Sequence, residues 1–150
     1  MSRSTRLSTA AHIMMYLAWN EGDRVRIDDI AKSANVNPSR LRQLCSMLAQ
    51  GGYIRSFKGA KGGIEMSCPP DQVTLLDLCI CIEDLNFFAL TPHQANKKDP
   101  IGAAVVPILH QLYEDYNNIF KEYLKATTIM DLLESSQSLE PPVAAPASAS

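Results

Sequence analysis

Leu7, Ala10, Ala11, Met14, Leu17 and Ala18 recur in steps of three and four, which predicts a core helix from about Ser8 to Trp19, ended by Gly22 and Asp23. Ile27, Ile30 and Ala31 repeat that spacing in a shorter helix through Ala34, with Asp28 and Asp29 as its N-terminal cap. A third stripe, Leu41, Leu44, Cys45 and Leu48, follows Asn37 and Pro38, a capping residue and a proline suited to the first helical position. Asn35 stands between the second and third patterns, where a tight turn needs a residue that tolerates positive φ. The third stripe turns Ser39, Arg40, Arg42, Gln43 and Ser46 outward.

Gly51 and Gly52 stop this helix, and the pattern changes to two short extended runs, Tyr53 to Arg55 and Ile64 to Met66. Between them lies a glycine-rich tip, Lys58 to Gly63, which with Arg55 brings three cations to the hairpin. Thr74 and Asp77 form a T-x-x-D capping box for a helix reaching about Leu85. Residues 86–100, with Pro92 and Pro100, break the pattern. Beyond them Ile101, Val105, Ile108, Leu112, Tyr116, Ile119 and Tyr123 trace a hydrophobic seam along a long helix, which Pro107 is expected to kink or to begin. Thr128 and Asp131 cap a last short helix to about Glu134, and the Ser-, Pro- and Ala-rich tail from Ser135 is expected to be disordered.

Two helices on a tight turn followed by a basic hairpin predict a winged helix-turn-helix, in which the second helix enters the major groove and the hairpin lies on phosphates. The expected fold is mainly α with a small β-wing and a long C-terminal dimerisation helix. The chain divides into a DNA-binding domain at 1–85, a regulatory loop at 86–100, dimerisation helices at 101–134 and a tail at 135–150. A lone arm cannot bury its own seam, so a homodimer is expected.

Net charge sharpens this picture. The chain totals −2, but residues 1–67 hold ten Lys or Arg against five Asp or Glu, and residues 68–150 hold four against eleven. A front half at +5 meets a polyanion while a rear half at −7 stays off it. No apolar run approaches the ~20 residues of a membrane span, and a cytoplasmic location is expected. There the four cysteines, Cys45, Cys68, Cys79 and Cys81, are expected as thiols.

On the third helix, Arg40 and Gln43 are placed to reach guanine and adenine edges, with Ser39 and Arg42 beside them. Lys58 and Lys61 are the wing's phosphate or minor-groove contacts, and Arg3 and Arg6 could extend the footprint. Cys45, inside the third helix, and Cys81 are the redox candidates. Cys81 is expected on the polar side of its helix near Asp77 and Asp84, where acidic neighbours raise a thiol's pKa. Cys79 and Cys81 cannot chelate one ion, because two residues on a helix point about 200° apart. His12, His93 and His110 are the only metal-ligand candidates, and no cofactor is expected. Neither a catalytic triad, paired carboxylates nor a phosphate loop is arranged in the chain, which argues against an enzyme.

Ile30-Ala31, Val36 to Pro38, Leu41 to Leu44, Leu48, Gly52 to Ile54, Gly59 to Gly63, Pro69-Pro70, Thr74 to Asp77 and Ile82-Glu83 together resemble the Rrf2 family of bacterial winged-helix regulators, from about Leu7 to Leu133. The resemblance implies a dimer, mostly a repressor, on a palindromic operator, responding to a redox or small-molecule signal. Some members carry an iron–sulfur cluster on three cysteines before the long helix. Here that loop has none, and Asp99 stands where the clusterless branch commonly has a cysteine, so the chain resembles that branch. Arg42 stands where cluster-bearing members often have glutamate, which implies a changed operator. Two alternatives accompany this reading: a cluster sensor with non-standard ligands, and a winged-helix interaction module that binds no DNA.

Overall fold

The computed structural model describes residues 5–82 and 96–139. Arg3, His93, the 86–95 part of the expected regulatory loop and the tail from residue 140 lie outside the described residues. The elements run α1 (Arg6–Trp19), α2 (Ile27–Ala34), α3 (Pro38–Gln50), β1 (Ile54–Phe57), β2 (Gly63–Met66), a short 3₁₀ turn at Pro70–Gln72, α4 (Leu75–Cys81), α5 (Pro100–Ala126) and α6 (Ile129–Gln137).

The core forms where the periodic stripes converge. Ala10, Ile13, Met14 and Leu17 of α1 meet Ile30 of α2, Leu41, Leu44 and Leu48 of α3, and Leu78 of α4, all buried. Ile54 and Ile64 bring the inner face of the hairpin onto this core, and Ile129 adds α6. α6 also packs along α1, while α5 touches the domain mainly through α4. An isolated bridge from Thr74 to Thr128 ties the starts of α4 and α6 together. Both threonines accept from the backbone N–H of the aspartate three residues on and complete capping boxes, as the T-x-x-D spacing predicts.

Local chemistry sets the turn of the helix-turn-helix. Asn35 takes the left-handed conformation at φ 51°, and the Asn37 side chain accepts the Ser39 N–H at 2.8 Å to open α3, with Pro38 in its first turn. The start of α2 differs from expectation. The helix begins at Ile27, with Arg26 at the capping position and no side-chain cap, so Asp28 and Asp29 sit inside the first turn and act on the helix dipole instead. The cause is non-local: Val25 bridges to Ile64 of β2, holding the chain extended until the residue before the helix.

β1 and β2 pair antiparallel with Ile54 opposite Met66 and Phe57 opposite Gly63. The strands are longer than the sequence runs suggest, and Arg55 is a strand residue paired with Glu65 at 3.1 Å. The wing tip presents Lys58 and Lys61, and Arg55 stands in the strand, as the extended run ending at Arg55 predicts. At Gly62 any side chain would drive a Cβ to 2.5 Å from the Phe57 carbonyl, so the tight tip demands glycine.

α5 starts at Pro100, one residue before the expected seam, because Asp99 accepts the Gly102 N–H at 2.7 Å as its cap. Pro107 lies inside the continuous helix and does not mark its start. α6 continues to Gln137, three residues beyond the expected Glu134 and into the segment expected to be a tail.

Candidate nucleic-acid interface

α3 and the wing form one surface. Leu41, Leu44, Cys45 and Leu48 anchor α3 in the core, and the remaining arc leaves Ser39, Arg40, Arg42, Gln43 and Ser46 exposed. Lys58 and Lys61 are exposed at the tip of the hairpin. Between the two lies a groove of about 410 Å³ whose walls include Arg26, Asp28 and Arg42 on one side and Phe57, Gly59 and Gly62 on the other. Its glycine-lined wall and its cations Arg26 and Arg42 suit the close approach of a phosphate backbone.

The two outward arginines of α3 are held differently. Arg40 donates from Nη2 to the Thr5 hydroxyl at 2.6 Å, joining α3 to the N-terminal end of α1. Arg42 donates from Nη2 to Asp28 Oδ1 at 3.0 Å across the two helices of the motif. Arg6, expected as a possible extension of the footprint, lies half-buried with its guanidinium 3.2 Å from the Met47 sulfur.

Sequence reasoning missed Arg24 and Arg26. Arg24 stacks over the Phe57 ring, 3.7 Å from its centroid, and donates to the Lys61 carbonyl at 3.3 Å. Arg26 is exposed in the groove wall. The signal was the basic pair flanking Val25, whose meaning depends on the Val25–Ile64 bridge that brings it beside the wing.

The cysteines are not activated. Burial pushes the Cys45 thiol up to about 11, and the side chain is closed inside the core beneath α3. Cys81 departs from the expected polar face: it is half-buried and donates from Sγ to the Met47 carbonyl at 3.0 Å, close under Gly51 at the end of α3. Its pKa is raised by burial, with the Gly51 backbone N–H opposing in part, while Asp84 lies outside the described residues. Cys68 is raised by burial and then by Asp77. Neutral thiols make poor nucleophiles and poor metal ligands.

The two described histidines, His12 and His110, stand apart. His12 is half-buried on α1 and hydrogen-bonded to the Ser33 hydroxyl at 2.9 Å, while His110 is exposed on α5. Among the described residues no three His, Cys, Asp or Glu side chains gather where a metal ion could be held.

The family profile described as "Iron-dependent Transcriptional regulator", Rrf2, matches residues 3–135. The HTH-type transcriptional regulator CymR of Bacillus subtilis is 28% identical over 133 residues, spanning 88% of this chain and 89% of CymR. The solved structure of CymR, named as the global cysteine regulator of B. subtilis, superimposes with a TM-score of 0.67 at 26% identity, covering 90% of this chain and 98% of CymR. The T. potens IscR structure shares the fold, with a TM-score of 0.71 at 20% identity over 94% of this chain and 93% of IscR. With its helix-turn-helix, its glycine wing and the match across nearly its whole length, the chain belongs to the Rrf2 family of DNA-binding transcriptional regulators and is not an enzyme.

Proposed function

We propose that the protein is a homodimeric repressor that binds a palindromic operator, with each α3 in a major groove and each wing on the flanking backbone. The observation that carries this reading is the shared groove: Arg42 of α3 and Arg26 stand across it from the glycine-lined wing, whose tip exposes Lys58 and Lys61, and the outward face of α3 exposes Ser39, Arg40 and Gln43. Ser39, Arg40, Arg42 and Gln43 supply base-edge and phosphate donors, and Lys58 and Lys61 supply phosphate contacts.

The twofold partner is supported by α5. Ile101, Val105, Ile108, Leu112, Tyr116, Ile119 and Tyr123 form a seam in steps of three and four, and each is exposed, from 38% at Val105 to 76% at Tyr123. A 27-residue helix is about 40 Å long, and an apolar stripe of that length is unfavourable in water until a second helix covers it. Two heads on successive major grooves, about 34–36 Å apart, occupy one face of the duplex and exclude other proteins from it. Because α5 meets the domain through α4, a signal that alters this packing changes the spacing of the heads. With Cys45 and Cys81 both held as neutral thiols, a small-molecule signal suits the protein better than thiol oxidation.

Selection from a randomised duplex library, followed by titration of the enriched sequence at several salt concentrations, tests the reading. The expected result is a palindromic consensus whose affinity falls steeply with salt. In the Lys58→Ala/Lys61→Ala variant the slope should shrink by up to about 0.9 for each phosphate that is no longer neutralised. Failure to enrich any sequence, with no salt-dependent binding, would favour the protein-interaction module.

A further inference from the structure

A carboxylate on a surface that faces phosphates opposes binding unless it does something else there. Asp28 is such a group: it lies in the wall of the groove between α3 and the wing. It does not cap α2, whose capping position is Arg26 and whose start has no side-chain cap. The helix dipole is already served by Asp29 in the same turn. The described contact that singles Asp28 out is its 3.0 Å ion pair with Arg42, the outward arginine of α3 that lines the groove.

We propose that Asp28 is a positioning residue for operator selectivity, holding the Arg42 guanidinium in the orientation in which it reads a guanine. This rests on the DNA-binding reading above. The pair joins one guanidinium nitrogen to one carboxylate oxygen. A guanidinium has five N–H donors in a planar fork, so Nη2 gives one N–H to Asp28 and keeps a second, which with a neighbouring donor on Nη1 or Nε forms a two-donor edge for the two acceptors of a guanine edge. Both side chains are about half exposed, at 55% and 52%, so the pair adds little to folding, yet it restricts a long side chain before DNA arrives. Among the described residues Arg40 pairs with no carboxylate: it is tied to a neutral hydroxyl, that of Thr5, and is absent from the groove wall. Selectivity at the base pair facing Arg42 therefore depends on a residue of the preceding helix.

The test compares base-preference profiles of the full-length wild type, Asp28→Asn, Asp28→Glu, Arg42→Ala and the Asp28→Asn/Arg42→Ala double variant, selected on the same randomised duplex library. Thermal unfolding checks that each is folded. Asp28→Asn is expected to flatten the preference at one base pair of each half-site by about tenfold, the discrimination that one bidentate pair supplies. The other positions keep their preference, Asp28→Glu restores part of the selectivity, and Asp28→Asn adds nothing further to Arg42→Ala. If Asp28→Asn instead binds all sequences more tightly with an unchanged profile, Asp28 is only a repelling charge and the proposal is wrong. An unchanged profile at unchanged affinity, or additive effects in the double variant, also overturns it. In each of those cases the wild type still selects a sequence, so DNA binding stands. A wild type that selects nothing overturns both readings together.

Discussion

The guanidinium of Arg24 lies over the Phe57 ring, its central carbon 3.7 Å from the centroid, and clips the wing to the segment that leads into α2. Arg24 also holds the Lys61 carbonyl, so one side chain grips the hairpin both at the last residue of β1 and at its tip. An exposed cation–π contact contributes about 0.5–1 kcal/mol. Arg24→Ala should lower operator affinity roughly fivefold by leaving the wing unordered before binding, while Arg24→Lys recovers part of it. Equal loss of affinity and thermal stability in Arg24→Ala would instead make Arg24 a general folding residue.

Gly62→Ala tests the wing from inside. Its new Cβ would meet the Phe57 carbonyl at 2.5 Å, and relief requires the tip to open. Strain of about 1–3 kcal/mol confined to the hairpin should weaken DNA binding about tenfold with a small change in Tm. A fluorescence anisotropy titration beside a melting curve separates the two effects.

Cys45 makes stability depend on pH in the alkaline range. Its folded pKa, about 11, lies above the ordinary 9.0, so between these values the unfolded chain has lost a proton that the folded chain keeps. The contribution is full below pH 9 and is lost as pH rises towards 11, by about 2 kcal/mol. Cys68, Cys81 and Tyr53 are raised as well and add loss of the same sign. Urea unfolding at pH 8, 9, 10 and 11 should show the decline, and it should be shallower in Cys45→Ala. At neutral pH, Cys45 should resist iodoacetamide until the protein unfolds.

Much of this was legible in the chain because it is local. The stripes of α1 and α3, the left-handed Asn35, the Asn37 cap and both capping boxes each depend on residues within a turn of one another. What the chain concealed is long-range pairing. The Val25–Ile64 bridge moves the start of α2 ahead of Asp28 and places Arg24 on Phe57. Cys81 sits on the last turn of a helix only seven residues long, where its hydrogen bond to Met47 decides its environment, not the helical wheel. The outward face of α3 was read correctly, but its partners, Thr5 and Asp28, come from elements that only the fold brings near.

The seam on α5 gives a direct prediction about assembly. Leu112 and Ile119 are 56% and 70% exposed, so Leu112→Glu or Ile119→Glu leaves the chain's own core intact. A carboxylate buried in an apolar seam costs several kcal/mol, ~2–5 or more, and should dissociate the dimer. Sedimentation should show wild type near twice 16.5 kDa and the variants near 16.5 kDa, with melting of the winged domain unchanged.

The paired reading surface is tested most directly by hydroxyl-radical footprinting of the wild-type protein on its selected duplex. Two α3 helices and two wings presented by one dimer predict two protected patches on one face, centred about one helical turn, ~34–36 Å, apart, with symmetric flanking protection from the wings. A single protected patch, or protection without any twofold relation, would contradict it.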